Sequence, residues 1–339
     1  MSLSVDRRPY VMGLGGQGIF REGLEAKAEA LPQVGAVPKI VRRMLESASA
    51  PRDNSVEESM RRQTRIMYYE IALHEAFRQT TDLGRRSPSA VSGHSLGLPI
   101  ALHVAGAYDL STLETIINKR AQHMAEASKS FPGKMGVVMG LQLDSIVGII
   151  KEIREKVNTQ RISQNLTPLS NVLGISNDNS PIQFVLSGFD EDIVKDALRL
   201  AKERGALFAR TLEGIIGVSH TRLIKQAATN LYEDLKLLVI DAPEIPVYAN
   251  TQPKLLKTPD DIRRELARTL RKPVRWSPFL SEMLLKGHDT FVGLEASKFL
   301  ESTVKQTHDH LKQRGSKVPE VVYVHSVNDS ASLEALRAA

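Results

Sequence analysis

The sequence predicts an α/β protein, with a body organised on a parallel sheet and a smaller inserted unit that has a sheet of its own. Three observations support that class. Short apolar runs alternate with helix-like stretches over residues 9–128 and again over 245–294, an order that favours a parallel sheet. Between them, residues 135–212 read as strand, helix, strand, strand, helix, strand. The chain of 339 residues, 42% of them hydrophobic, has apolar surface enough for one large α/β domain or for two domains.

The elements follow in order. PYVMGL (9–14) reads as a short buried strand, and QTRIMYYEIALHEAF (63–77) belongs to a helix. SPSAVSG (87–93) is a strand running into a tight turn, with a helix from about Ser95. Pro99 falls in the first turn of that helix, where a missing N–H costs little. Ser111 and Glu114 have the spacing of a capping box for the next helix, which runs to about Ser128. MGVVMGL (135–141) then reads as strand and DSIVGIIKEIREKV (144–157) as helix. Two strands, about 171–176 and 182–187, flank the turn signal NDNS; a helix (190–204) and a last strand (206–212) follow. That βαββαβ order is the pattern of a ferredoxin-like unit. The body resumes with IPVYANT (245–251), a helix (259–270) and DTFVGL (289–294). The expected division is therefore 1–132 and 208–316 for the body, 133–207 for the insert, and 317–339 for a C-terminal tail with no assigned place.

Composition removes several kinds of function. With no cysteine there are no disulfides, thiolate metal sites or cysteine nucleophiles, so covalent chemistry runs through Ser, Thr, Lys or a carboxylate. Lys and Arg outnumber Asp and Glu by 45 to 39, spread along the chain, and aromatic residues make up only 5%. That texture argues against a nucleic-acid partner, which calls for basic stripes interleaved with aromatics, while suiting an acidic or phosphate-bearing one. The N-terminus lacks an apolar signal core, and no apolar run approaches the roughly 18 residues of a membrane span. A cytoplasmic protein with no membrane partner is expected.

The stretch VSGHSLGLPIAL (91–102) places Ser95 between two glycines, after a strand and before a helix. A nucleophile elbow needs that order, because the sharp turn lifts the hydroxyl out of the sheet and the helix N-terminus offers N–H groups to an oxyanion. A Gly-rich structural turn has the same spelling. From the pattern alone, both readings stand.

Further matches give the chain a wider resemblance. GHSLG (93–97) is similar to the nucleophile motif GHSLGE of the malonyl-CoA:acyl carrier protein transacylases and of the acyltransferase domains of polyketide synthases. In the same order, GGQGIF (15–20) resembles that family's PGQGxQ, the helix from Gln63 its TQPA segment, and RAQHM (120–124) its RxxxM. SNDNSPIQFVLSG (176–188) resembles NxNSPxQxVxSG, GVSHTRLI (217–224) the SH motif, and LRKPVRW (270–276) LxxPVxW. The chain departs from the family at Leu98, Phe20 and Thr64, and reads GLEAS where the family has EVGPG.

The resemblance implies an α/β-hydrolase-like body and a ping-pong acyl transfer on a Ser–His dyad. Ser95 is the expected nucleophile and His220 its general base and acid, with the imidazole oriented by the backbone carbonyl of Thr269. The backbone N–H groups of Gln17 and Leu96 are the expected oxyanion donors. Arg120 is expected to bind the free carboxylate of a malonyl group, with Met124 one turn on lining the acyl pocket and Gln63 orienting Arg120 or the substrate. Asn177 and Asn179 are substrate contacts or turn formers. The substrate is a CoA thioester, with no bound cofactor and no metal, and the acceptor an acidic acyl carrier protein; a monomer is expected. Two alternatives stand beside this reading: an acyl hydrolase that clears acyl groups from carrier proteins, and a catalytically idle docking subunit.

Overall fold

A strand covered on both faces is buried along its whole length rather than at alternate positions, and the three central strands of the main sheet have that character. The structure, a computed structural model, describes residues 8–16, 23–48, 56–213, 215 and 217–338. The described strands are β1 (Tyr10–Leu14), β2 (Ala90–Gly93), β3 (Lys134–Met139), β4 (Leu173–Ser180), β5 (Gln183–Gly188), β6 (Phe208–Thr211), β7 (Val247–Tyr248), β8 (Leu255–Leu256), β9 (Val274–Arg275), β10 (Thr290–Leu294) and β11 (Tyr323–Val327). The helices are α1 (Leu24–Glu29), α2 (Val37–Ala48), α3 (Val56–Thr80), α4 (Gly97–Val104), α5 (Leu110–Ser130), α6 (Leu143–Ser163), α7 (Glu191–Glu203), α8 (Lys225–Lys236), α9 (Pro259–Arg271), α10 (Trp276–Leu285), α11 (Phe299–Gln313) and α12 (Ser330–Ala338).

The main sheet runs β11-β10-β1-β2-β7-β8. Its pairs are parallel except β7–β8. Alternation along β1 divides its side chains between two layers. Met12 and Leu14 join the large core that includes residues of α3, α4 and α5, while Val11 joins Trp276, Phe279 and Phe291 in the core that α10 and α11 help to build. From β1 the chain moves to β2 and β7 on one side and later returns to β10 and β11 on the other. Such a reversal opens a crevice at the carboxyl ends of the strands where it occurs. Gly15 and Gly16 follow β1 there, and His94 and Ser95 follow β2.

A second sheet has the order β6-β3-β5-β4-β9. It is antiparallel except where β9 lies parallel to β4. One core on it unites Val138, Phe184 and Leu186 with Ile146 and Ile149 of α6 and Val194 and Leu198 of α7. Met135, Val137 and Val185 form a separate apolar cluster, with Leu212 and Ile215 against it.

Several sequence expectations need correction. The helix expected to start at a Ser111 capping box is α5, capped by Asp109, whose carboxylate accepts from Thr112 N at 2.8 Å; Ser111 lies inside the helix. NDNS is not a turn, since β4 runs through it to Ser180, with irregularities on either side of Asn177. The second sheet extends past residue 207, because β6 pairs with β3 and β9 joins from beyond α9. Residues 317–338, expected as a tail with no assigned place, have one: β11 pairs in parallel with β10 at the edge of the main sheet, and α12 follows it.

Candidate active site

Backbone geometry sets the elbow. Ser95 has φ 56°, a left-handed conformation that is strained for a residue with a side chain and is retained where surrounding structure enforces it. The two flanking glycines permit it. A Cβ on Gly93 would lie 2.0 Å from the carbonyl carbon and oxygen of Gly97, and one on Gly97 2.3 Å from the Gly15 carbonyl oxygen. Asn250, just beyond β7, clamps the turn from both ends. Its Oδ1 accepts from Ser95 N at 2.8 Å, and its Nδ2 donates to the Gly93 carbonyl at 2.6 Å. Gly97 N and Leu98 N are used on the carbonyls of His94 and Ser95, whereas Leu96 N–H has no acceptor among the described residues.

The Ser95 hydroxyl lies 2.8 Å from His220 Nε2. His220 Nδ1 lies 2.5 Å from the carbonyl oxygen of Thr269. A carbonyl only accepts, so Nδ1 carries the proton and Nε2 presents its lone pair to the Ser95 O–H. The sequence LRKP explains why that carbonyl is available. In a continuing helix Thr269 would accept from the N–H four residues on, but that residue is Pro273, which has none, and Lys272 has already turned to extended backbone. Burial, followed by the positive charge of Arg120, lowers the His220 pKa to about 3, so the resting imidazole is neutral.

Arg120 reaches the same hydroxyl from α5, its Nη2 3.1 Å from Ser95 Oγ. Its Nη1 donates to the side-chain oxygen of Gln63, from α3. The guanidinium is buried, and no carboxylate pairs with it among the described residues. Burial lowers its pKa to about 10, which leaves it charged at neutral pH. Opposite stand Asn177 and Asn179 of β4. His94 Nε2 donates to Asn179 Oδ1 at 2.8 Å, and the His94 ring packs edge-on against Phe299 and Trp276. Ser95, His220, Arg120 and the two asparagines line one cavity of about 140 Å³, closed on its apolar side by Met135, Val137 and Val185 of the second sheet. A nucleophile, a neutral base and an unpaired buried cation thus meet at one end of an otherwise apolar cavity.

The malonyl CoA-acyl carrier protein transacylase of Bacillus subtilis (strain 168) is 30% identical to this chain over 260 residues, 77% of this chain and 76% of that protein. The chain belongs to the malonyl CoA-acyl carrier protein transacylase family. The polyketide biosynthesis malonyl CoA-acyl carrier protein transacylase PksC of the same organism is 30% identical over 204 residues, 60% of this chain and 64% of that protein. The crystal structure of an acyl carrier protein S-malonyltransferase from Vibrio cholerae superposes with a TM-score of 0.78 at 27% identity, over 96% of this chain and 99% of that one. No protein-family model matches the chain.

The structure of this transacylase relative brings Ser95, His220, Thr269, Arg120, Gln63, Asn177 and Asn179 together. Gln17 lies outside the described residues. Met124 does not line the cavity: it is half-buried against the large core, and Met135 of β3 supplies the methionine of the wall instead. Asn250, and the roles of His94 within GHSLG and of Pro273 within LRKPVRW, escaped the reading of the sequence. So did Glu70, which accepts from Gly15 N at 3.1 Å and anchors the chain where it leaves β1. Only Pro273 had a local signal, a proline four residues beyond the carbonyl that His220 uses.

Proposed function

We propose that this chain transfers a malonyl, or related dicarboxylic acyl, group from CoA to the phosphopantetheine thiol of an acidic acyl carrier protein, through an acyl-Ser95 intermediate. The observation that carries this reading is Arg120. A buried guanidinium with no carboxylate partner, 3.1 Å from the nucleophile, is complementary to an acyl group that brings a carboxylate of its own.

In the first half-reaction Ser95 Oγ attacks the thioester carbonyl carbon as His220 Nε2 takes the hydroxyl proton. Leu96 N–H, with Gln17 N–H as the expected second donor, receives the oxyanion. The carbon–sulfur bond breaks and His220 returns the proton to the CoA thiolate. In the second half-reaction the carrier thiol attacks the Ser95 ester while its proton passes to His220, and the proton returns to Ser95 as the ester bond breaks. Substrate charge assists the base. A malonyl carboxylate against Arg120 offsets one of the charges that depress the imidazole, and so raises its basicity once the acyl group is in place. No step calls for a bound cofactor.

The two-sheet arrangement supports reading the main sheet as an α/β-hydrolase-like body and the second as an inserted ferredoxin-like unit that roofs the acyl pocket. Incubation with malonyl-CoA, followed by intact mass, tests the assignment. One malonyl adduct is expected, absent in Ser95→Ala and discharged by a holo carrier protein. Discharge by water at the same rate would favour a hydrolase, and no adduct at all an idle subunit.

A further inference from the structure

Four basic residues line a second recess at His220, distinct from the cavity that holds Ser95. The recess has a volume of about 250 Å³ and is lined by Arg154, Arg222, Arg271 and Lys272, together with Ser187, Gly174 and the edge of His220. None of the four cations makes an ion pair or a side-chain hydrogen bond among the described residues, and no carboxylate lines the recess. Elsewhere among the described residues, Arg199, Arg264, Lys286 and Lys305 each pair with a carboxylate one turn away along a helix. A second observation points the same way. Ser187 is buried, and its hydroxyl has no hydrogen-bond partner among the described residues. A buried hydroxyl without a partner is costly, and here it stands in the wall of a basic recess.

We infer that this recess is a binding site for a phosphate-class anion, gripped by Arg154, Arg222, Arg271 and Lys272 and receiving a hydrogen bond from Ser187. Arginine forks match phosphate oxygens in pairs, and convergent unpaired cations at a partly enclosed surface raise the local anion concentration. The position gives the site a consequence. Arg222 lies two residues after His220, and Arg271 two residues after Thr269, so one anion held by both arginines ties together the two segments whose hydrogen bond orients the imidazole. The phosphate has two biochemical sources in the proposed reaction, the nucleotide half of CoA and the phosphopantetheine arm of a carrier, and a third in free phosphate.

The test reads binding alone, so its outcome is independent of whether Ser95 becomes acylated. Calorimetric titration is carried out with inorganic phosphate, adenosine 3′,5′-bisphosphate and pantetheine 4′-phosphate, each at constant ionic strength set with chloride. Gly174 offers a clean variant, because a Cβ there meets nothing within 4 Å and its backbone is not left-handed. Gly174→Asp sets a carboxylate in the recess, and Arg154→Ser with Arg222→Ser removes two exposed cations without touching a core. Binding to the wild type is expected, weakened at least tenfold in both variants. The bisphosphate binding tightest assigns the site to CoA, the pantetheine phosphate to the carrier arm, and inorganic phosphate to the free ion. Binding of equal strength in the wild type and both variants, or no binding beyond that of chloride, overturns the inference.

Discussion

Asn250 is the residue on which the elbow depends most, and replacing it separates geometry from chemistry. In Asn250→Ala the Ser95 N–H and the Gly93 carbonyl lose partners at 2.8 and 2.6 Å inside the protein. Each buried group left unsatisfied costs about 1 to 3 kcal/mol, and because the two share one turn that can relax, a total near 2 to 4 kcal/mol is expected. Relaxation is also what harms activity. Freed from its clamp, Ser95 can leave φ 56°, and a displacement of roughly 1 Å at Oγ suffices to lower the acylation rate about a hundredfold. Asn250→Asp sharpens the test. It keeps an acceptor for Ser95 N–H but turns an oxygen toward the Gly93 carbonyl, so the clamp is restored only when the carboxyl is protonated and can donate. Urea unfolding and single-turnover acylation across pH are the assays. Asn250→Ala is expected to be less stable and slow, and Asn250→Asp to recover relative to wild type as pH falls. Unchanged stability and acylation in both variants would refute the reasoning.

Three further outcomes are expected. Pro273→Ala supplies an N–H that can compete for the Thr269 carbonyl, a loss of about 1 kcal/mol in orienting His220 that should appear as a roughly three- to tenfold lower kcat at unchanged KM. Because His220 is held neutral, with a pKa lowered to about 3, the acid limb of kcat/KM for acylation should lie well below pH 6.5; a midpoint at 6.5 would mean that the imidazole is solvated. Glu295 is buried, with its pKa raised to about 8 from 4.5, so the folded state keeps a proton that the unfolded chain releases, and stability falls as pH rises through that window. Glu295→Gln should remove part of that slope in urea titrations between pH 5 and 8, while Glu70, Glu265 and Asp178, whose pKa values burial also raises, keep contributing slope of the same sign.

What was legible in the sequence is what local physics dictates. Continuous apolar runs give β1 and β10, and the alternation of strand and helix gives the βαββαβ order, because burial and periodicity are written in neighbouring residues. Only the first half of β4 reads as strand in the sequence, because Asn177, Asp178, Asn179 and Ser180 spell a turn. Polar groups along β4 are satisfied by distant partners instead: Ser176 donates to the Ser219 carbonyl, Ser180 to Gln306, and Asp178 faces Arg275. β11 escaped because a half-buried edge strand has weak hydrophobic contrast. In the site, Ser95, His220 and Arg120 could be named from short motifs. Asn250 could not, since its partners are 155 and 157 residues away in the chain and nothing local to it requires an asparagine.

The central claim is that Arg120 selects an acyl group carrying a free carboxylate, and the ratio of malonyl to acetyl loading in the wild type and in Arg120→Ala measures it directly. Removing the buried guanidinium should cost malonyl transfer on the order of 2 to 5 kcal/mol, roughly thirtyfold to a few thousandfold in rate, because a charge-assisted pair is lost where water does not replace it. Acetyl loading should fall far less, or even rise, since a neutral acyl group leaves the wild-type Arg120 buried and unpaired. A collapse of the malonyl to acetyl ratio is the expected result. Equal losses with both substrates would make Arg120 a structural residue and contradict the assignment of a dicarboxylic acyl substrate.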